Sequence, residues 1–207
     1  MRFKRVLLVS AHADDALVGA GGYALRLRKE GAELTHVVFT LSEKDNGLGF
    51  TGSEIRGELE EATTLMETDL SIIQTPVHYL QKYGANIRKA LEDLKETWHP
   101  DLILMPFLQD THQDHRAVAE ETIRVFRNSE TVLSYELPRN TITTFQPNVF
   151  ANITDELEEK LHVLACFKTQ VKRPYMAPEC FRALARVRGT MFGVSYAEAF
   201  MAVKMVL

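Results

Sequence analysis

Two short segments of this 207-residue chain concentrate side chains that do chemistry: His12-Ala13-Asp14-Asp15, and Asp110-Thr111-His112-Gln113-Asp114-His115. Imidazole nitrogen and carboxylate oxygen are donors that zinc takes in catalytic sites, where three protein ligands leave the fourth position to water. Such water has its pKa lowered to about 7, which provides a nucleophile at neutral pH. A carboxylate off the metal can take the water's proton, and a further histidine can donate to the bond being broken. The two segments hold enough groups for every one of these roles. Clustered His and Asp without clustered Cys favour zinc, with Fe2+, Mn2+ and Co2+ as alternatives that the same donors accept.

Taken singly, each aspartate has a plainer reading. Asp14 and Asp15 suit the N-cap and first turn of a helix, and Asp114 suits the cap of a helix beginning at His115. Both segments, however, follow strongly apolar runs, and ligands of open α/β sheets bind at the carboxyl ends of strands. Two such ends bearing His and Asp together fit a metal better than capping alone. His36, His78, His99 and His162 fall in a strand, a loop, a pre-proline position and a helix. They read as surface or satisfied core residues.

The positioning elements follow from periodicity. Continuous apolar runs at 5–10 (RVLLVS) and 101–107 (DLILMPF) predict strands buried on both faces. Further strands are expected at 33–41, 71–74, 131–137 and 148–153. Apolar residues at three- and four-residue spacing predict helices at 14–30, 53–67, 85–98, 115–126, 155–167 and 179–188. Ser53 and Thr154 are the expected N-caps of their helices, and 42–52 reads as a Gly/Asp/Asn-rich loop. Gly19-Ala20-Gly21-Gly22 lacks the GxGxxG spacing of a dinucleotide loop, and its small residues suit close packing of helix on sheet. Alternating strands and helices predict a single Rossmann-like α/β domain over 1–207, with a mostly parallel sheet flanked by helices.

Composition narrows the remaining classes. With 45% hydrophobic and 25% charged residues the chain reads as an ordinary globular protein. A net charge of −4 argues against a nucleic-acid partner, and no apolar run is long enough for membrane insertion, so a cytoplasmic location is expected. Arg26, Arg28, Lys29 and Arg182, Arg186, Arg188 read as solvated faces. Cys166 and Cys180 read as buried free thiols.

At His12-Ala13-Asp14-Asp15 and His112-Gln113-Asp114-His115 the sequence resembles the LmbE-like (PIG-L) family of zinc-dependent de-N-acetylases. The likeness extends over nearly the whole chain, through Gly21-Gly22, the helix EIRGELEEA, Asp110 and the tail RVRGTMFGVSYAEAF. That tail looks especially like bacillithiol-pathway N-acetylglucosaminyl-malate deacetylases. The resemblance implies that His12, Asp15 and His115 hold Zn2+ and that Asp14 is the general base. It implies His112 as acid or electrophile with Asp114 orienting it, Arg56 as a substrate-positioning arginine, and Tyr196 as a donor to the oxyanion. It further implies an N-acetyl sugar conjugate as substrate and a homo-oligomer, trimeric or hexameric. Two departures stand out: Ala13 where relatives usually have Pro, and Ala16-Leu17 where most carry a Glu. The expected activity is hydrolysis of the acetamide of an N-acetylglucosamine-type conjugate, giving acetate and a free amine. The competing readings are a catalytically silent metal-containing binding protein of the same fold and a metal-dependent phosphoesterase, which needs a second metal.

Overall fold

The computed structural model describes residues 3–41, 49–76, 79–128, 130–140 and 145–206. Successive side chains of a strand point to opposite faces. Accordingly β1 (Arg5–Ser10) sends Val6 and Leu8 into one core and Leu7 and Val9 into the other. β4 (Leu102–Met105) does the same, with Leu102 and Leu104 on one side and Ile103 and Met105 on the other. Strands apolar on both faces require cover on both. Helices α1 (Asp15–Lys29), α2 (Gly52–Leu65), α5 (Leu157–Leu164) and α6 (Pro178–Phe192) contribute to the first core. Helices α3 (Gly84–Trp98) and α4 (Gln113–Val125) contribute to the second.

The remaining strands are β2 (Glu33–Val38), β3 (Asp69–Ile72), β5 (Thr131–Tyr135), β6 (Val149–Asn152) and β7 (Ala197–Lys204). They assemble in the order β3-β2-β1-β4-β5-β7-β6. The first five run parallel, and β7 lies antiparallel between β5 and β6. This is the mostly parallel, helix-covered α/β sheet that the sequence predicts. The chain proceeds from β1 outward through β2 and β3, then returns to place β4 on the other side of β1. The switch point therefore falls between β1 and β4, where Val6, Leu7 and Leu8 pair with Leu102, Ile103 and Leu104.

Several boundaries differ from expectation for local reasons. Thr51, not Ser53, caps α2: its side chain accepts from the Glu54 N–H, while the Glu54 carboxylate accepts from the Thr51 N–H. That is the reciprocal capping box, with Glu54 at its third helical position. Thr154 does not cap α5; its hydroxyl donates instead to Asn152 Oδ1 at 2.7 Å. α6 runs past Arg188 to Phe192 and ends at Gly193, whose φ of 81° suits a left-handed helix stop.

Cys166 is buried, but Cys180 is exposed on the outer side of α6. The basic clusters are paired rather than merely solvated: Arg28 meets Glu67 and Glu159, Arg182 meets Glu158, and Arg188 meets Glu136. His36 is fully buried, His99 is the left-handed cap of α3, and His78 and loop residues 42–48 lie outside the described residues. No helix among the described residues is long and apolar enough to cross a membrane.

Candidate metal centre and active-site cavity

Because β1 and β4 are neighbours, the turns that leave their carboxyl ends meet. The first turn carries His12 into α1, and the second carries Asp110 and His112 into α4, whose first turn holds His115. Three donors converge there. His12 Nδ1 stands 3.1 Å from His115 Nε2, and the two Asp15 oxygens stand 3.3 Å from the same nitrogens, one oxygen facing each ring. Ligands bound at about 2.0–2.1 Å around a tetrahedral zinc lie about 3.3–3.4 Å apart, so the nitrogen–nitrogen separation is near one such edge, and each nitrogen has one Asp15 oxygen at a similar distance. The donor set fits a divalent ion. The three rings of His12, His112 and His115 form a wider group, with donor atoms within 4.8 Å of one another. Asp15, beside two of these rings, brings the negative charge that a dication needs.

The electrostatics agree with that geometry. Burial opposes the charged form of His12, yet the Asp15 charge together with hydrogen bonds donated to Asp114 and Asp15 raises its pKa to about 9. Burial likewise opposes charge on His115, and Asp15 and Asp110 raise it to about 10. Burial pushes the Asp15 carboxyl up, but the facing His115 and His12 rings hold it well below the usual carboxylate range. A pocket that binds protons this strongly has the field that a metal exploits when it displaces them.

A buried polar shell fixes the donors. Asp110, 1% exposed, accepts from His115 Nδ1 at 2.8 Å through Oδ2 and from the His112 N–H at 2.7 Å through Oδ1. Asp15 Oδ2 accepts from the His12 N–H at 2.7 Å, so this carboxylate is doubly constrained. Beneath them Ser10 Oγ accepts from the Ala16 N–H and meets His36 Nε2 at 2.7 Å. Burial lowers the His36 pKa to about 4, which keeps that ring neutral.

The other expected residues divide. Asp14 occupies the N-cap position of α1, makes no side-chain capping bond, and lines the cavity. Its carboxyl is shifted up, first by burial and then by the Asp15 charge, with His12 and Arg173 acting the other way. His112 also lines the cavity, and burial with the nearby His12 and His115 rings lowers its pKa to about 4. Its Nδ1 accepts from the Asp114 N–H at 3.2 Å, which assigns the proton of the neutral ring to Nε2. His112 is thus the cap of α4, a role the sequence suggests for Asp114. The Asp114 carboxylate, 0% exposed, faces His12 Nε2 at 3.4 Å and accepts from the Leu80 N–H. It faces His12, while its backbone N–H and its charge act on His112.

Arg56 and Tyr196 stand apart from this group. On α2, Ile55 joins the cavity wall; the next residue is rotated by about 100°, which carries Arg56 toward Glu60 instead. Tyr196 packs against the first core just before β7 and is absent from the cavity lining. Ala16 and Leu17 are fully buried in that core.

The cavity has a volume of about 600 Å3, within the range of small-molecule sites. Sequence reasoning missed Arg139, Asn140, Gln170, Arg173 and Tyr175 in its wall. Arg139 and Asn140 follow β5, so the strand-end rule pointed to them. Arg173 and Tyr175 follow no strand, and only the fold of the chain after α5 brings them here.

The model of the family described as PIG-L, GlcNAc-PI de-N-acetylase, matches residues 7–126. A diacetylchitobiose deacetylase from Thermococcus kodakarensis is 25% identical, over 94% of this chain and 81% of its own. A conserved protein from Thermus thermophilus has a similar structure, with a TM-score of 0.85, 23% identity, and coverage of 98% of this chain and 95% of its own. A 4-carboxy-2-hydroxymuconate hydratase from Pseudomonas putida also shares the fold, with a TM-score of 0.84, 18% identity, and coverage of 99% and 98%. The fold alone therefore does not select one reaction.

Proposed function

This chain belongs to the PIG-L family of metal-dependent N-deacetylases, and on that premise we propose that it hydrolyses the acetamide of an N-acetylated sugar, giving acetate and a free amine. The observation that carries the reading is the His12–Asp15–His115 triangle with Asp14 and His112 beside it in one cavity. His12, Asp15 and His115 would hold the ion, with zinc favoured by the mixed nitrogen and oxygen donors. When bound, the ion would polarise the acetyl carbonyl and lower the pKa of water at its open position.

The remaining work falls to protein groups. Asp14, free of capping duty and shifted up by burial, takes the proton of the attacking water and returns it to the departing amine. His112, neutral with its proton on Nε2, donates toward the carbonyl oxygen as negative charge develops there. Asp110 and the Asp114 carboxylate fix the rings of His115 and His12, so little reorganisation accompanies the reaction. Arg56 and Tyr196 lie outside this arrangement and have no step in it. A homo-oligomer remains part of the proposal on the family likeness, and light scattering of the purified chain measures it.

Asp14→Asn tests the base. It is expected to keep full metal content and to lose amine release by about 10^2–10^4-fold on N-acetylglucosamine conjugates, the usual range for general-base catalysis. Unchanged turnover would remove Asp14 from the mechanism, and amine release that persists after chelation would remove the metal.

A further inference from the structure

We infer that the outer part of the cavity is an anion site, in which Arg139 and Arg173, arranged about the Tyr175 ring, recognise a carboxylate or phosphate carried by the substrate. The inference rests on the N-deacetylase reading and narrows its substrate class.

Three residues from two separate loops meet here. Arg139 lies in Leu137-Pro138-Arg139-Asn140 after β5, and Arg173 immediately precedes the 3-10 turn Pro174–Met176. The two guanidinium carbons lie 5.7 and 5.9 Å from the centre of the Tyr175 ring. Arg173 Nη1 also donates to the Tyr175 hydroxyl at 2.7 Å. Both loops are anchored. The Asn140 carbonyl accepts from the Thr111 N–H at 3.2 Å, and Arg173 donates its N–H to Gln170 and accepts from Met176, both at 2.9 Å.

The charges are arranged unusually for this molecule. Arg28, Arg88, Arg124, Arg182 and Arg188 each pair with a glutamate. Among the described residues neither Arg139 nor Arg173 forms an ion pair, although both line a cavity. Of the carboxylates of that cavity, Asp15 sits beside His12 and His115, while Asp14 lies near enough to Arg173 and Tyr175 for its charge to act on both. Burial follows a gradient, with Asp15 7% and His115 2% exposed, Arg173 and Tyr175 half-buried, and Arg139 exposed. The end that holds His12, Asp15 and His115 is built for a cation, and the other end presents two guanidinium groups about one ring, neither in a salt bridge among the described residues. Guanidinium groups offer paired donors that match carboxylate and phosphate, and an anion bridging them relieves their mutual repulsion. An exposed arginine alone is ordinary. A second, half-buried one fixed to the same tyrosine makes a site.

The test compares three conjugates on the metal-loaded protein: the carboxymethyl glycoside of N-acetylglucosamine, its uncharged methylamide, and N-acetylglucosamine 1-phosphate. Amine release should give at least one anionic conjugate a kcat/KM about tenfold or more above the methylamide. Arg139→Gln and Arg173→Gln should each lower that ratio by about tenfold, the worth of one charge-assisted contact. The anion with the larger ratio identifies the group bound. Equal kcat/KM for charged and uncharged conjugates, or variants that slow all three alike, would overturn the anion site. Calorimetry with the deacetylated carboxymethyl glucosaminide and its methylamide provides an arm independent of hydrolysis. If nothing is hydrolysed, the N-deacetylase reading fails, while tighter wild-type binding of the charged ligand, lost in both variants, still upholds the anion site. Equal binding of both ligands would refute it.

Discussion

Replacing Asp110 by asparagine alters one oxygen of the metal shell and little else. Oδ1 of Asp110 accepts from the His112 N–H at 2.7 Å, and asparagine keeps an oxygen for that bond. The other oxygen, 2.8 Å from His115 Nδ1, becomes an NH2 group that can only donate. The His115 ring must then accept at Nδ1 and carry its proton at Nε2, the atom that faces His12 and Asp15. A protonated nitrogen is no ligand, so metal binding must first reverse the tautomer at the cost of a hydrogen bond buried in a shell 1–2% exposed. Partners of this kind change metal affinity by about 10–100-fold, equivalent to about 1.4–2.8 kcal/mol. Competition against a chromophoric chelator at neutral pH measures that loss, and near-ultraviolet circular dichroism checks that the fold is retained. An Asp110→Asn protein that is folded and binds zinc within twofold of the wild type would refute the claim that this carboxylate sets the His115 tautomer.

Gly19→Ala tests the contact of α1 with the sheet: a Cβ there would run into the ring of the fully buried Tyr135. Overpacking of about 1–3 kcal/mol should lower the thermal midpoint, and an unchanged midpoint would show that α1 shifts freely. Lys160→Met strands the Glu198 carboxylate, which the Lys160 ammonium meets at 2.7 Å and which accepts from the Gly22 and Tyr23 N–H groups. Breaking such a buried pair should cost about 3–5 kcal/mol in denaturant unfolding, with restoration expected in Lys160→Met/Glu198→Gln if the stranded charge is the cause. His36 has a folded pKa near 4 against 6.5 for a free ring, so the unfolded chain binds the extra proton between those values. Its share of stability is therefore complete above pH 6.5 and is lost as pH falls toward 4, by up to about 3 kcal/mol. Unfolding of His36→Gln across that range should show a correspondingly flatter acid limb, and parallel curves would contradict the burial of a neutral ring.

The candidate metal donors were legible because their signal is local. An apolar run followed at once by His-x-Asp-Asp, and another followed by His-x-Asp-His, places donors at two strand ends, and strand order needs only one switch to join them. The helices and most strands were legible for the same reason, since a period of 2 or 3.6 is written within a few residues. Roles that depend on where a side chain points across space were not. Asp114 lies next to His115, yet its carboxylate faces His12 across the other loop, while its backbone N–H donates to His112 from the first turn of α4. Arg56 misses the cavity because Ile55 takes the inward position on α2, and the next residue is rotated about 100° from it. Arg173 and Tyr175 reach the site only because the chain after α5 returns across the sheet end, a long-range event with no local pattern to mark it. Sequence alone thus determined which groups are available for chemistry and which strands present them. Tertiary structure decided which oxygen faces which nitrogen, because a hydrogen bond or ligand contact depends on separations of a few tenths of an ångström between residues far apart in the chain.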